Sequence, residues 1–264
     1  MRYYQNKSMI RKIFLLLFSL ILSTIAFCQN PKTIHVFVAL CDNVNQGIVP
    51  VPAGIGNGQN PSTNLYWGCG YGVKTYFAKH SGDWQLLKTI PNPEEHILER
   101  LLFKHKTTNT FLLADAYDGA HIKACTIDFL NASAGDFNCT YLYNDQYIEF
   151  GGQADLLAYT GHDGLMDFNL DLALVSKSNK KRDVIILACY SKSYFKEFIR
   201  DAGANPVIWT SGLMAPEAYI LEWALDGWVI GESDAQIAER AAQAYNHYQK
   251  CGINGARNLL RTGF

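Results

Sequence analysis

Residues 154–164 read A-D-L-L-A-Y-T-G-H-D-G, and residues 183–191 read D-V-I-I-L-A-C-Y-S. Each block is a short apolar run that stops abruptly at a reactive side chain. The first run, Leu156 to Tyr159, delivers His162 between Gly161 and Gly164; the second, Val184 to Ala188, delivers Cys189. Uninterrupted apolar strands of this length belong to parallel sheets covered on both faces. In such sheets ligands collect at the carboxyl ends of the strands, where both reactive residues are expected. The two blocks therefore predict a thiol and an imidazole on two strand ends of an α/β domain.

The flanking sequence fits that frame. Thr33 to Leu40 reads as a first strand, with His35 expected to be a core histidine rather than a ligand. It empties into a long Gly-, Asn- and Pro-rich segment, residues 41–72. This segment reads either as a wall or lid of the same edge, with Tyr66 and Trp67 as candidate contacts, or as a floppy surface excursion. Pro91 to Lys104 reads as a helix with the stripe Ile97, Leu98, Leu101, Leu102, and Thr110 to Ala116 as the second strand. A helix over Ala120 to Leu130 follows, with Cys125 as inert packing. Residues 138–152 form an expected β-hairpin about Asn144-Asp145, with Tyr141, Tyr143 and Tyr147 lining one face. Lys180, Lys181 and Arg182 read as a solvated turn. Behind Cys189 a helical stripe ends at Gly203, Pro206 to Thr210 is a further strand, and helices follow over Pro216 to Leu225 and Asp234 to Tyr248. Gly252, Asn254 and Gly255 then lead into a short tail. The order describes one α/β domain.

Residues 1–28 look like a secretory signal: Arg2, Lys7, Arg11 and Lys12 precede an apolar core from Ile13 to Phe27. Cleavage is expected near Cys28-Gln29, giving an exported domain over residues 29–264. Lipidation at Cys28 is the rival reading and would tether the chain to a membrane. A formal net charge of −1 supplies no basic field for nucleic acid. Gly68, Gly70, Gly72 and Lys74 evoke a phosphate cradle, but Val73 separates Gly72 from Lys74 and no strand leads in. The seven cysteines include no C-x-x-C pair, so structural zinc is not expected, and a Cys41–Cys69 bridge is conceivable.

A cysteine nucleophile attacks as the thiolate, which an adjacent imidazole generates by taking the proton or by pairing as His⁺. Cys189 also precedes a helix, whose free N–H groups favour negative charge. Backbone N–H groups at the glycines around His162, with that of Cys189, could form an oxyanion hole. Asp115, Asp118 and Asp163 are expected near the same edge, available to orient His162 or to bind substrate.

The His block followed by the Cys block, with Gly161-His162 and the Ala188-Cys189-Tyr190-Ser191 context, resembles the caspase-like fold of the clan CD cysteine peptidases, which includes legumains, caspases, gingipains and clostripain. The resemblance implies a three-layer sandwich with a mainly parallel central sheet and helices on both faces. It implies a cofactor-free endopeptidase acting on a peptide or protein substrate, with Cys189 as nucleophile and His162 as its base or ion-pair partner. It places substrate binding at Gly161, Asp163 and Gly164. The pocket for the residue before the cut is expected near the strand after Cys189, with Trp209, Thr210 and Ser211 as its wall. Acidic residues beside it, Glu217 or Asp226, would favour Arg or Lys, though the sequence does not place them there. Two departures stand out: Asp163 intervenes before Gly164, and Leu187 occupies a position where the family usually carries an acidic residue or glutamine. A catalytically inactive scaffold that binds a protein or peptide is the alternative reading. A metal-dependent hydrolase using His162, Asp163 and Asp167 is the third.

Overall fold

In the computed structural model, which describes residues 30–264, strand β1 (Lys32–Ala39) runs through the middle of an eight-stranded sheet. The expected signal, residues 1–28 with Cys28, lies outside the described residues. Five strands run parallel in the order β4 (Thr110–Tyr117), β1, β7 (Leu156–Gly161), β8 (Asp183–Leu187) and β9 (Asn205–Thr210). Antiparallel strands complete the edges. β3 (Ile97–His105) and β2 (Trp84–Glu94) lie beyond β4, and the two-residue β10 (Leu260–Arg261) lies beyond β9. The protein is thus α/β with a large, mostly parallel central sheet.

Alternate strand residues enter two different cores, since successive side chains point to opposite faces. Ile34, Val36 and Val38 pack with α1 (Val73–Lys79), α4 (Ala218–Val229), α5 (Asp234–Gln249) and α6 (Ile253–Leu259). Phe37, Ala39, Leu157 and Tyr159 pack with α2 (Ile122–Ala134) and α3 (Ser191–Ala202). Burial on both sides is the physical reason these runs carry no polar alternation. Helix ends follow from local chemistry. Ser233 and Gln236 form a capping box on α5, and Gly203, at φ +71°, closes α3 in the left-handed conformation.

One feature of the strand order positions the site. β1 lies between β4 and β7, so the chain builds outward in one direction from β1 and then in the other. The loops leaving β1 and β7 diverge there and open a crevice at their carboxyl ends.

Several expectations need correction. Residues 91–104 form no helix: they belong to the β2–β3 hairpin, turned at Glu95 and His96, with His96 at φ +67°. Leu101 and Phe103 enter one core while Leu102 enters another, the signature of a period of two. Pro91 is tolerated because β2 is an edge strand, irregular between Pro91 and Glu94. The hairpin of β5 (Asn138–Tyr143) and β6 (Gln146–Gly151) turns at Asn144 and Asp145, at φ +48° and +61°. Its register pairs Tyr147 with Leu142, so Tyr147 lies on the face opposite Tyr141 and Tyr143. Arg182 is no part of a solvated turn. Its guanidinium is buried and donates to the carbonyls of Gly152, Ser133 and Lys180 and to Ser178. The segment after Gly252 is no tail, because it forms α6 and β10. The six described cysteines, Cys41 and Cys69 included, are free.

His35 is the core residue expected. Its Nε2 donates to Asp115 at 2.9 Å, and its Nδ1 accepts the Gly151 N–H at 3.1 Å, which defines a neutral tautomer. Asp115 therefore leaves the list of site residues. It is fully buried within β4, where Arg100 grips it through Nε and Nη2 at 2.6 and 2.8 Å. Burial pushes this carboxyl up, but the Arg100 and His35 bonds outweigh it and hold it below the ordinary range.

Candidate active site

The carboxyl ends of β1, β7, β8 and β9 surround one cleft of about 290 Å³. The loop after β1 contributes Gly47, Ile48, Val49 and Tyr66, and the loop after β7 contributes Gly161, His162 and Met166. Cys189 enters from the end of β8, and Leu213, Met214 and Pro216 come from the loop after β9. His162 and Cys189, read from the sequence as a pair, line the same cavity.

Each side chain is held there by its surroundings. β7 terminates at Gly161, at φ +140°, packed so closely on β1 that a Cβ would collide with the Ala39 carbonyl. The chain then enters a 3₁₀ turn, Gly164–Met166. Asp163 caps this turn by accepting the Leu165 N–H at 2.9 Å, and Tyr159 Oη donates to the His162 carbonyl at 2.8 Å. The turn places Asp167 so that its Oδ2 accepts from His162 Nε2 at 2.8 Å. The same oxygen accepts the Gly47 N–H at 2.9 Å. This bond commits Nε2 to the carboxylate, so that in the neutral ring Nδ1 carries the lone pair a general base requires.

The loop over residues 41–72 is built, not loose. Asp42 accepts from the N–H groups of Val44 and Asn45 and from the Gln59 amide, and Asn64 bonds both the N–H and the carbonyl of Cys41. Tyr66 reaches the cleft as expected. Trp67 does not, being buried with its Nε1 on Glu99.

Cys189 is half-buried, and its thiol is clamped by the backbone N–H and carbonyl of one residue, Met214. Sγ donates to the Met214 carbonyl at 3.6 Å and accepts the Met214 N–H at 3.4 Å. Burial pushes the thiol above its ordinary 9.0, the Met214 N–H pulls it down, and the nearby Asp163 carboxyl adds a further upward push. These surroundings favour the protonated thiol, against the negative charge that a place before a helix would favour. The start of α3 offers the sulfur no relief: Tyr190, at φ +51°, donates its N–H to Gly212, and Ser191 donates to Thr210 Oγ1. Those donors are taken.

Asp163 is fully buried, with Oδ2 lacking any hydrogen-bond partner among the described residues. Burial, eased by the Leu165 N–H, pushes this carboxyl up to about 7. Asp118 stands apart from the cleft, capping the turn before α2 and accepting from Gln59. Trp209, Thr210 and Ser211 do not form the expected wall. Trp209 is buried in the core with Phe195, Thr210 donates to Ala188 and bonds Ser191, and Ser211 donates to the Asn258 carbonyl. Strand β9 carries these three past the cleft; the following residues, Leu213 to Pro216, fold back over Cys189. Glu217 and Asp226 are likewise not offered to the cleft. Glu217 accepts from Tyr219 and Gln249, and Asp226 lies among Glu222, Asp83 and Arg240.

Among the described residues no group of three or more His, Cys, Asp or Glu is arranged to hold a metal ion. Asp163 and Asp167 are committed to a turn cap and to His162, so the metal-site reading gains no support. No helix among the described residues is long and apolar enough to cross a membrane. No family model matches the chain, and no curated protein or solved structure is similar to it.

Proposed function

We propose that this chain is a caspase-like cysteine peptidase, a three-layer sandwich with a Cys189–His162 dyad. The observation that carries the reading is the common cleft: His162 and Cys189 leave the carboxyl ends of adjacent parallel strands and line one cavity beneath the loop over residues 41–72. In this reading His162 Nδ1 takes the Sγ proton as sulfur attacks the peptide carbonyl carbon. The C–N bond then breaks, and the same imidazole delivers the proton to the leaving amine. Water attacks the resulting thioester, releasing the carboxylic acid and restoring the thiol. Asp167 orients the ring and supports the positive charge it gains. Asp115, Asp118 and Asp163, the carboxylates the sequence makes available to orient His162 or to bind substrate, make no bond to that imidazole among the described residues. The chain is exported in this reading, on the strength of residues 1–28.

A second reading has its own observation. The neutral, Met214-clamped thiol suits a caspase-like scaffold that binds a protein or peptide without cleaving it. Iodoacetamide alkylation across pH, read at Cys189 by mass spectrometry with exposed Cys251 as internal reference, separates the two. Slower alkylation of Cys189 near neutral pH in His162→Ala, with Cys251 unchanged, is the peptidase outcome. Equal rates in both proteins would refute the dyad.

A further inference from the structure

The chemistry of the cleft also names what enters it. Resting on the peptidase reading, we infer that the cleft beside Cys189 receives an uncharged apolar side chain of leucine or methionine size from the substrate residue before the scissile bond. Its walls are Ile48, Val49, Tyr66, Met166, Leu213, Met214 and Pro216, with only His162 titrating among the side chains that line it besides the nucleophile and the Tyr66 phenol. A cavity of about 290 Å³ stands at the small end of ligand sites, roughly 300 Å³ upward.

The rim strengthens the assignment. Val49 is 88% exposed, Leu213 69% and Met166 39%, so three apolar side chains from three different loops meet water around the same opening. Scattered exposed hydrophobics need no explanation, but convergence on one cavity does. Each carboxylate close by is already engaged or shielded. Asp167 serves His162 and Gly47, Glu217 accepts from Tyr219 and Gln249, and Asp163 is fully buried. A lysine, arginine or aspartate side chain entering here would lose water and meet no partner, a penalty that polar-lined pockets avoid. The acidic pocket for Arg or Lys that the sequence suggested is therefore replaced by an apolar one.

Labelling of the full chain by peptidyl acyloxymethyl ketones tests this. In that reaction Sγ forms a thioether to the methylene carbon and the carboxylate leaves. Probes of one tripeptide series, ending in Leu, Met, Asn, Asp, Arg or Lys, are compared by their rates of labelling at Cys189. The Leu and Met probes are expected to react about 10-fold or more faster than the charged ones. Leu213→Asp, a rim substitution that the fold should accept, is expected to slow the Leu probe and speed the Arg probe. Leu213→Ala is expected to slow Leu without favouring Arg.

Fastest labelling by a charged probe, or equal rates across the series, would overturn the specificity while leaving the dyad standing. Failure of every probe to label Cys189 would also overturn it. The iodoacetamide comparison with His162→Ala then shows separately whether the peptidase reading falls too.

Discussion

Asp167 is the residue whose replacement tests the site most sharply, because one oxygen serves both the imidazole and the lid. Its Oδ2 accepts from His162 Nε2 at 2.8 Å and from the Gly47 N–H at 2.9 Å. Asparagine keeps the shape and an acceptor oxygen but removes the charge. A hydrogen bond to a charged group contributes about 1.5–3 kcal/mol, against about 0.5–1.5 kcal/mol for a neutral one. The Asp167 side chain is only 24% exposed, so the difference between the two ranges, about 1–1.5 kcal/mol, applies without a large discount for solvent. If that energy orients and charges the imidazole as it takes the thiol proton, Asp167→Asn should react about 5- to 13-fold more slowly at Cys189. Asp167→Ala, which removes both bonds, should fall further and approach His162→Ala. The assay is iodoacetamide alkylation near neutral pH, normalised to Cys251, with thermal melts to confirm folding. Wild-type rates in both variants, with melting unchanged, would refute the claim that Asp167 positions the base.

Three other outcomes follow from the geometry. Gly47→Ala should reproduce much of the Asp167→Ala defect, because the new Cβ would collide with the Asp167 carboxylate; a wild-type alkylation rate would show that the lid contact is irrelevant to the base. Asp163 rises from 3.8 to about 7 on folding, so the native state holds a proton that the unfolded state has lost between those values. Stability therefore falls as pH rises through that window, by up to about 4 kcal/mol. Asp163→Asn should melt higher than wild type above about pH 7, by about 1–3 kcal/mol once its unpaired amide is counted, and show no gain below about pH 4; the melt difference against pH is the check. Finally, Arg100→Ala leaves the buried Asp115 carboxylate without its counter-ion and with only the His35 bond, which should cost about 3–5 kcal/mol. That is about 6–20 °C in melting temperature, whereas an exposed pair such as Arg257–Glu239 should show little change when broken.

The parallel strands could be read from sequence because burial on both faces writes itself as an unbroken apolar run. β1, β4, β7, β8 and β9 all carry that mark. The β2–β3 hairpin does not. Ile97, Leu98, Leu101 and Leu102 satisfy helical spacing, and they fit a strand only because both faces of β3 meet apolar neighbours. What decides between the two is remote, namely the pairing of β3 along β4 and the Arg100–Asp115 bond it permits. Arg182 was misread for a similar reason. Three successive basic residues normally signal a solvated face, yet Gly135, at φ +84°, and Gly152 leave room for a buried guanidinium among carbonyls. Strand-end logic found His162, Cys189 and the covering loop. It could not find Asp167, which reaches His162 only by way of the 3₁₀ turn, nor Leu213 and Met214, which depend on a loop folding back. A carboxylate a few residues beyond a strand-end histidine was the available signal.

The proton on Cys189 separates the two readings of this site. Sγ donates to the Met214 carbonyl and feels the push of Asp163, so nothing in the resting arrangement draws the proton toward His162. A preformed thiolate–imidazolium pair would be ready without substrate. A clamped neutral thiol instead requires the proton to move when the electrophile arrives, and a base must then be waiting with its lone pair free. The Asp167–His162 bond supplies that condition by fixing Nε2–H. The Gly47–Asp167 bond ties the condition to the loop over residues 41–72. An inactive binding scaffold has no need to align a carboxylate, a neutral imidazole tautomer and a lid on one oxygen atom. That alignment, more than the thiol's own state, is why the hydrolytic reading stands first.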